Sequence, residues 1–203
     1  MSISLLLDTS SVYLYLGLLV DGQLIDQVSE KAPRQQSEIT MGRIQELFRK
    51  HQLSPRDLDT VVLSEGPGSY TGIRIAMTIA KVLGSLAQVQ VYTLNTLQIA
   101  CGQHPKKRLA LLDARSQRAY VAIYQNGQVL LEPQILQLDQ IKSLLSEVDE
   151  VVGDGHLIDQ ETVEIDFIQN MIELKNQWNL VDQIDDLVPL YLKQTSSYGN
   201  HST

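Results

Sequence analysis

The chain has 203 residues, 43% of them hydrophobic and 20% charged, which is enough to bury a core in one domain or two small ones. Sixteen basic residues against 24 acidic ones give a net charge of −8, which argues against nucleic-acid binding by the chain alone, since phosphate recognition usually needs a basic face. A single cysteine cannot close an internal disulfide, Ile3–Leu7 is too short a run for a signal peptide, and nothing approaches a membrane span; a cytoplasmic protein without membrane attachment is expected.

In chain order, Leu5-Leu6-Leu7-Asp8 reads as a buried strand that ends in a carboxylate. Thr9-Ser10-Ser11 turns the chain, and Val12, Leu14, Leu16, Leu18 and Val20 alternate as a second strand. Asp21-Gly22 is a two-residue hairpin signal leading to a third strand near Gln23–Ser29. A helix is expected over Ser37–Gln52, with Met41, Ile44, Leu47 and Phe48 facing inward and Ile39 and Gly42 off that stripe. The strand Thr60–Ser64 then enters Gly66-Pro67-Gly68, a sharp turn before a helix that Ser69 or Thr71 can cap.

That second helix is unusually apolar. Ile73, Ala76, Met77, Ala80, Leu83, Gly84 and Ala87 share one face, while Ile75, Ile79, Val82 and Leu86 share another. Only Arg74, Thr78, Lys81 and Ser85 form a polar stripe. One apolar face can pack on the chain's own sheet; the other needs a second cover, either more of this chain or another protein. A strand near Gln90–Leu94 ends this unit.

A shift of 105 residues repeats the plan. Leu109–Asp113 is again a buried strand ending in a carboxylate, Tyr120, Ala122 and Tyr124 alternate, and Asn126-Gly127 stands where Asp21-Gly22 stood. Gln128–Leu131, a helix near Leu138–Glu147 and a strand at Val151-Val152 complete the echo. The expected fold is α/β: two β-β-β-α-β units of mixed sheets flanked by helices. This doubling is similar to the plan of the actin, hexokinase and heat-shock ATPase superfamily, with ribonuclease H-like units. Residues 1–103 form the first unit, and residues 104–203 a smaller, degenerate one with a disordered polar tail from Ser196.

Chemistry is sparse on this scaffold. In ATPases of that superfamily the first turn of each unit holds phosphates with glycine backbone, yet Asp8-Thr9-Ser10 and Asp113-Ala114-Arg115 contain no glycine. Gly66–Gly72 lacks the lysine and hydroxyl pair of a Walker loop, and a tight turn is the simpler reading. His51, His104, His156 and His201 are not spaced as a helical metal pair, and no Gly-x-Ser-x-Gly elbow exists. No catalytic, metal or cofactor residue is expected.

The run Gly66-Pro67-Gly68-Ser69-Tyr70-Thr71-Gly72-Ile73-Arg74-Ile75 resembles the signature of the TsaB (YeaZ) family, supported by Leu7-Asp8-Thr9-Ser10, Leu112-Asp113-Ala114-Arg115 and Pro189-Leu190-Tyr191-Leu192-Lys193. The family often carries a His-Ser pair before the first helix, where this chain has Gln36-Ser37. The resemblance implies a non-catalytic subunit of the complex that installs threonylcarbamoyl on the tRNA adenosine next to the anticodon. Its implied partners are a catalytic TsaD-like paralogue and a TsaE-like ATPase, with a homodimer when alone and tRNA reached only through the complex. The implied partner surface is Ile39, Gly42, Tyr70, Arg74, Ile75, Ile79, Val82 and Leu86. The alternative is an independent small ATPase or kinase of the same superfamily, or a peptidase.

Overall fold

The computed structural model describes residues 1–87 and 89–192, apart from the side chains of Leu86 and Ala87; the expected polar tail lies outside these residues. The first sheet is built from β1 (Ile3–Asp8), β2 (Tyr13–Val20), β3 (Gln23–Lys31), β4 (Thr60–Gly66) and β5 (Gln90–Asn95). β1, β2 and β3 form an antiparallel meander, while β4 pairs parallel with β1 and β5 parallel with β4. Because strand side chains alternate, Leu5, Leu7 and Leu63 face one side of this sheet, and Leu6 and Val62 the other.

Two long helices, α1 (Gln36–Lys50) and α2 (Tyr70–Ala87), cover the first side. Ile44, Leu47 and Phe48 of α1 and Ile73, Met77 and Ala80 of α2 are buried there with the strand leucines. Each such side chain contributes about 1.5–3 kcal/mol by leaving water. Met41, expected on the inward stripe, is instead 44% exposed, and Gln36 and Thr40 take the inner positions of the first turn. The reason is polar: the Gln36 amide donates to Ser11 O at 2.7 Å, and the Thr40 hydroxyl to Gln36 O at 2.6 Å. A part-buried carbonyl at the β1–β2 turn takes a donor, which a methionine cannot offer.

The second sheet contains β6 (Arg108–Arg115), β7 (Arg118–Gln125), β8 (Gln128–Gln137) and β9 (Glu150–Gly153), in the order β8-β7-β6-β9. That order and its strand directions repeat β3-β2-β1-β4. The repeat extends to detail. Both hairpins turn on left-handed pairs, Asp21-Gly22 at φ 49° and 79° and Asn126-Gly127 at 52° and 73°. A register break between Leu18 and Leu19 recurs between Ile123 and Tyr124. At the opposite end the copies diverge: Leu7 faces Leu16, but Leu112 faces Tyr120, so the second turn closes one residue tighter. It does so with Arg115, Ser116 and Gln117 all left-handed, at φ 66°, 55° and 60°. The helix expected near Leu138–Glu147 is α4 (Leu138–Lys142) followed by a 3-10 turn over Ser143–Glu147; its Ile141 packs on Leu109, Leu111 and Val121.

A six-residue helix that periodicity could not signal joins the sheets. α3 (Thr96–Cys101) starts where the Asn95 side chain caps Leu97 N at 2.9 Å. Its Ile99 enters the outer core of the first sheet, while Leu97, Ala100 and Cys101 enter that of the second, beside Ala110, Ala122 and Val152. The chain then returns to its first half. α5 (Phe167–Glu173) places Phe167, Ile168 and Met171 on Leu6 and Val62, and β10 (Asn179–Leu180) adds an antiparallel strand beside β5. Residues 167–180, expected within the second unit of 104–203, instead pack on and extend the first sheet, because Phe167, Ile168 and Met171 bury against Leu6 and Val62.

Candidate functional site

Of the two aspartate turns singled out in the sequence, the first is closed by the chain itself, while the second is open to water. The loop between β4 and α2 lies on the first aspartate turn: Ser69 N donates to Ser10 O at 2.6 Å, and the Thr9 hydroxyl to Gly72 O at 2.7 Å. A Cβ on Gly72 would stand 1.8 Å from Thr9 O, and one on Gly68 2.5 Å from Ser10 O. These glycines admit the neighbouring backbone of Thr9 and Ser10. Gly66–Gly72 is a tight brace, as its residue types suggested.

Asp8 sits beneath that brace, fully buried. Its Oδ1 accepts from the Ser64 hydroxyl and from Ser10 N at 3.2 Å, while Oδ2 has no partner among the described residues. Burial pushes the carboxyl pKa up, and hydrogen bonds from Ser10 and Ser64 offset part of that rise. Asp113, its counterpart, is exposed and accepts from Arg115 N at 2.7 Å. Among the described residues no cluster of three His, Cys, Asp or Glu could hold a metal ion. His51 pairs with Asp26 at 2.8 Å, and burial pushes the Cys101 thiol up to about 12, out of range for a nucleophile.

The outer surface of α1 and α2 is different. Tyr70 is 55% exposed, Val82 51% and Met41 44%, large apolar groups on two helices that touch each other. Ile39 and Ile75 are half-buried against the first core, Arg74 is exposed, and Gly42 faces open space. Ile79 departs from the expectation: it is 8% exposed and belongs to the first core. The cause is a cover the sequence did not announce. Val181, Ile184 and Leu187 pack into the same core, Ile184 lies against Gly84, and Lys81 Nζ donates to Asp185 O at 3.2 Å. The second cover of α2 is thus partly the chain's own. The Leu86 side chain lies outside the described residues.

At the start of α2 two separate motifs meet. Arg74 Nη1 donates to the Tyr70 hydroxyl at 2.7 Å and its guanidinium lies 5.3 Å from that ring's centre. Tyr70 stacks on Tyr191 with centroids 6.0 Å apart, and Leu190 N donates to Glu65 O at 2.8 Å. Arg74, and then Tyr191, lower the Tyr70 pKa. Tyr191 and Met41 belong to this surface although the expected partner residues omit them. The position of Tyr191 in the Pro189–Lys193 motif was the available signal.

The family model described as "TsaD: tRNA N6-adenosine threonylcarbamoyltransferase" matches residues 27–179, well over half of the chain. A curated relative, "tRNA threonylcarbamoyladenosine biosynthesis protein TsaB" of Bacillus subtilis (strain 168), is 29% identical over 75% of this chain and 70% of that protein. The protein of the same name from Buchnera aphidicola subsp. Acyrthosiphon pisum (strain APS) is 25% identical over 95% of this chain and 87% of its own length. The chain belongs to the TsaD family, in its TsaB (YeaZ) branch. The solved structure "YeaZ from Pseudomonas aeruginosa" has the same fold, with a TM-score of 0.77 at 22% identity over 95% of this chain and all of that one. The two β-β-β-α-β units of mixed sheets flanked by helices expected from the repeat are the plan of this fold. No helix among the described residues is long and apolar enough to cross a membrane.

Proposed function

We propose that this chain is a non-catalytic subunit of a complex that forms threonylcarbamoyladenosine in tRNA, and that it docks a TsaD-like catalytic paralogue on the outer face of α1 and α2. The names of its TsaB relatives support the pathway. The observation that carries the subunit role is the apolar outer face of two adjacent helices, with Met41, Tyr70 and Val82 about half exposed in a chain whose first aspartate turn is closed by its own backbone. A solvent-facing helix normally spends such positions on charged residues. A helical partner would cover Met41, Ile75 and Val82 with apolar side chains, approach closely at Gly42, and meet Arg74 at the edge. The same face suits a second copy of the chain when the paralogue is absent. A TsaE-like ATPase completes the assembly. The net charge of −8 supports contact with tRNA through the partner rather than directly, in the cytoplasm.

Co-expression with the TsaD-like paralogue tests the reading. The wild-type chain should co-purify with it and support tRNA threonylcarbamoylation. A Met41→Asp/Val82→Asp double variant should lose at least about tenfold in affinity, the equivalent of about 1.4 kcal/mol, while its melting curve stays put. Undiminished co-purification of a folded double variant would refute the surface. Threonylcarbamoyl transfer by the isolated chain would refute the non-catalytic role.

A further inference from the structure

A cavity of about 470 Å³ opens where the end of β5, α3, the β7–β8 hairpin and the 3-10 turn Lys175–Gln177 converge. It shares no residue with the helical surface or with the Asp8 and Asp113 turns. Its size falls in the range of small-molecule sites.

Tyr124 lines it. This residue is only 5% exposed and its ring packs in the core of the second sheet, while its hydroxyl reaches solvent and makes no hydrogen bond to any described residue. A tyrosine with a buried ring and a free hydroxyl offers a donor at the cavity wall. The amides around it are also partly uncommitted. Asn95 spends its Oδ1 on Leu97 N at 2.9 Å, and Gln177 spends its Oε1 on the Gln98 amide, which also reaches Gly127 O at 3.3 Å. The amide N–H groups of Asn95 and Gln177, with both ends of the exposed Gln128, remain available among the described residues.

The chemistry of this lining is selective. Asn95 and Gln177 offer amide donors, and Gln128 places a donor beside an acceptor in one plane, a pattern that reads nucleobase edges. Glu132 at the rim adds an acceptor for an amino group, and Val129 and Pro133 offer apolar walls for a ring. No lysine, arginine or histidine lines the cavity, so a phosphate would meet a carboxylate and no counter-charge.

We propose that this cavity binds an unphosphorylated nucleoside whose base carries an exocyclic amine, with Tyr124, Asn95 and Gln177 donating to the base and Glu132 accepting from its amine. The site is independent of the helical docking face, and each can fail alone.

The full chain carries one tryptophan, Trp178, directly after Gln177, and its fluorescence can follow a titration. Adenosine and cytidine should bind saturably at millimolar concentration or below, shifting the NMR amide signals of Gln98, Gly127 and Gln128. Uridine, which lacks the amine, and AMP, which adds the phosphate, should each bind at least about fivefold more weakly. Tyr124→Phe keeps the buried ring and removes only the hydroxyl; it should weaken adenosine about five- to tenfold, as should Gln128→Ala at the exposed rim. Absence of saturable binding, AMP binding as well as adenosine, or a folded Tyr124→Phe variant binding like wild type would each overturn the assignment. Equal binding of N-acetylasparagine amide would mean that the cavity reads amides rather than bases, and would overturn it too.

Discussion

Asp8 and Asp113 stand at the same place in two copies of one unit and live in opposite surroundings. The first is sealed beneath Gly66–Gly72, hydrogen-bonded to Ser64 and Ser10, with one oxygen unpaired. The second faces water at a strained turn in which Arg115, Ser116 and Gln117 are all left-handed. The surrounding helices differ in the same way. The first unit carries α1 and α2, 15 and 18 residues long, whereas the second has only the five residues of α4. Strand order survives duplication because it is fixed by pairing and alternation. Turn chemistry and helix surfaces differ between the copies, and the proposed docking face lies on the long helices of the first unit.

The sharpest way to break the comparison is to add one methyl to the brace. Gly72→Ala puts a Cβ into Thr9 O, backbone that cannot step aside, and should cost about 3 kcal/mol or more, read as a Tm drop of roughly 6–12 °C. An unchanged Tm would mean that the two turns do not depend on each other. Next in size is a pair of substitutions three residues apart on α2. Ile79→Asp buries an unpaired charge in the first core and should cost about 3 kcal/mol. Val82→Asp should stay within about 0.5 kcal/mol, because its side chain already meets water. Equal effects at the two positions in denaturant melts would erase the distinction between inner and outer flank.

A smaller effect follows pH at Asp8. Burial raises its carboxyl pKa above the usual carboxylate range, so the folded chain keeps a proton that the unfolded chain releases. The stability contributed is full below that range and is lost as pH rises through the folded pKa. Asp8→Asn should therefore flatten the fall in stability above about pH 4. Identical pH profiles for wild type and Asp8→Asn would contradict the burial argument. Smallest is the strained turn itself: Ser116→Gly should raise stability by about 0.5–1 kcal/mol, since glycine adopts a left-handed φ without a Cβ penalty. A loss of stability there would show that the turn is not under strain.

Much of this architecture was legible in the residues. Short apolar runs located β1, β4 and β6, alternation located β2 and β7, and Asp21-Gly22 with Asn126-Gly127 revealed both hairpins and their common frame. Length defeated the reading of α3, because Thr96–Cys101 is under two turns and is buried against both sheets, which leaves no polar face to set a period. The return of Phe167–Glu173 and Asn179–Leu180 to the first sheet is a long-range pairing that local pattern does not encode. The same blindness misplaced Ile79. Helical periodicity gave its direction correctly, but not the arrival of Ile184 and Leu187 from over a hundred residues away. Met41 was lost to a different cause, a carbonyl of Ser11 that demanded an amide at the inner position.

Hydrogen exchange on the intact chain, with and without the TsaD-like paralogue, addresses the docking face most directly. Binding should slow exchange in α1 around Ile39–Gly42 and in α2 from Tyr70 to Val82, and leave β8 and α4 at their free rates. Protection confined to the second sheet, with α1 and α2 unaltered, would contradict the account.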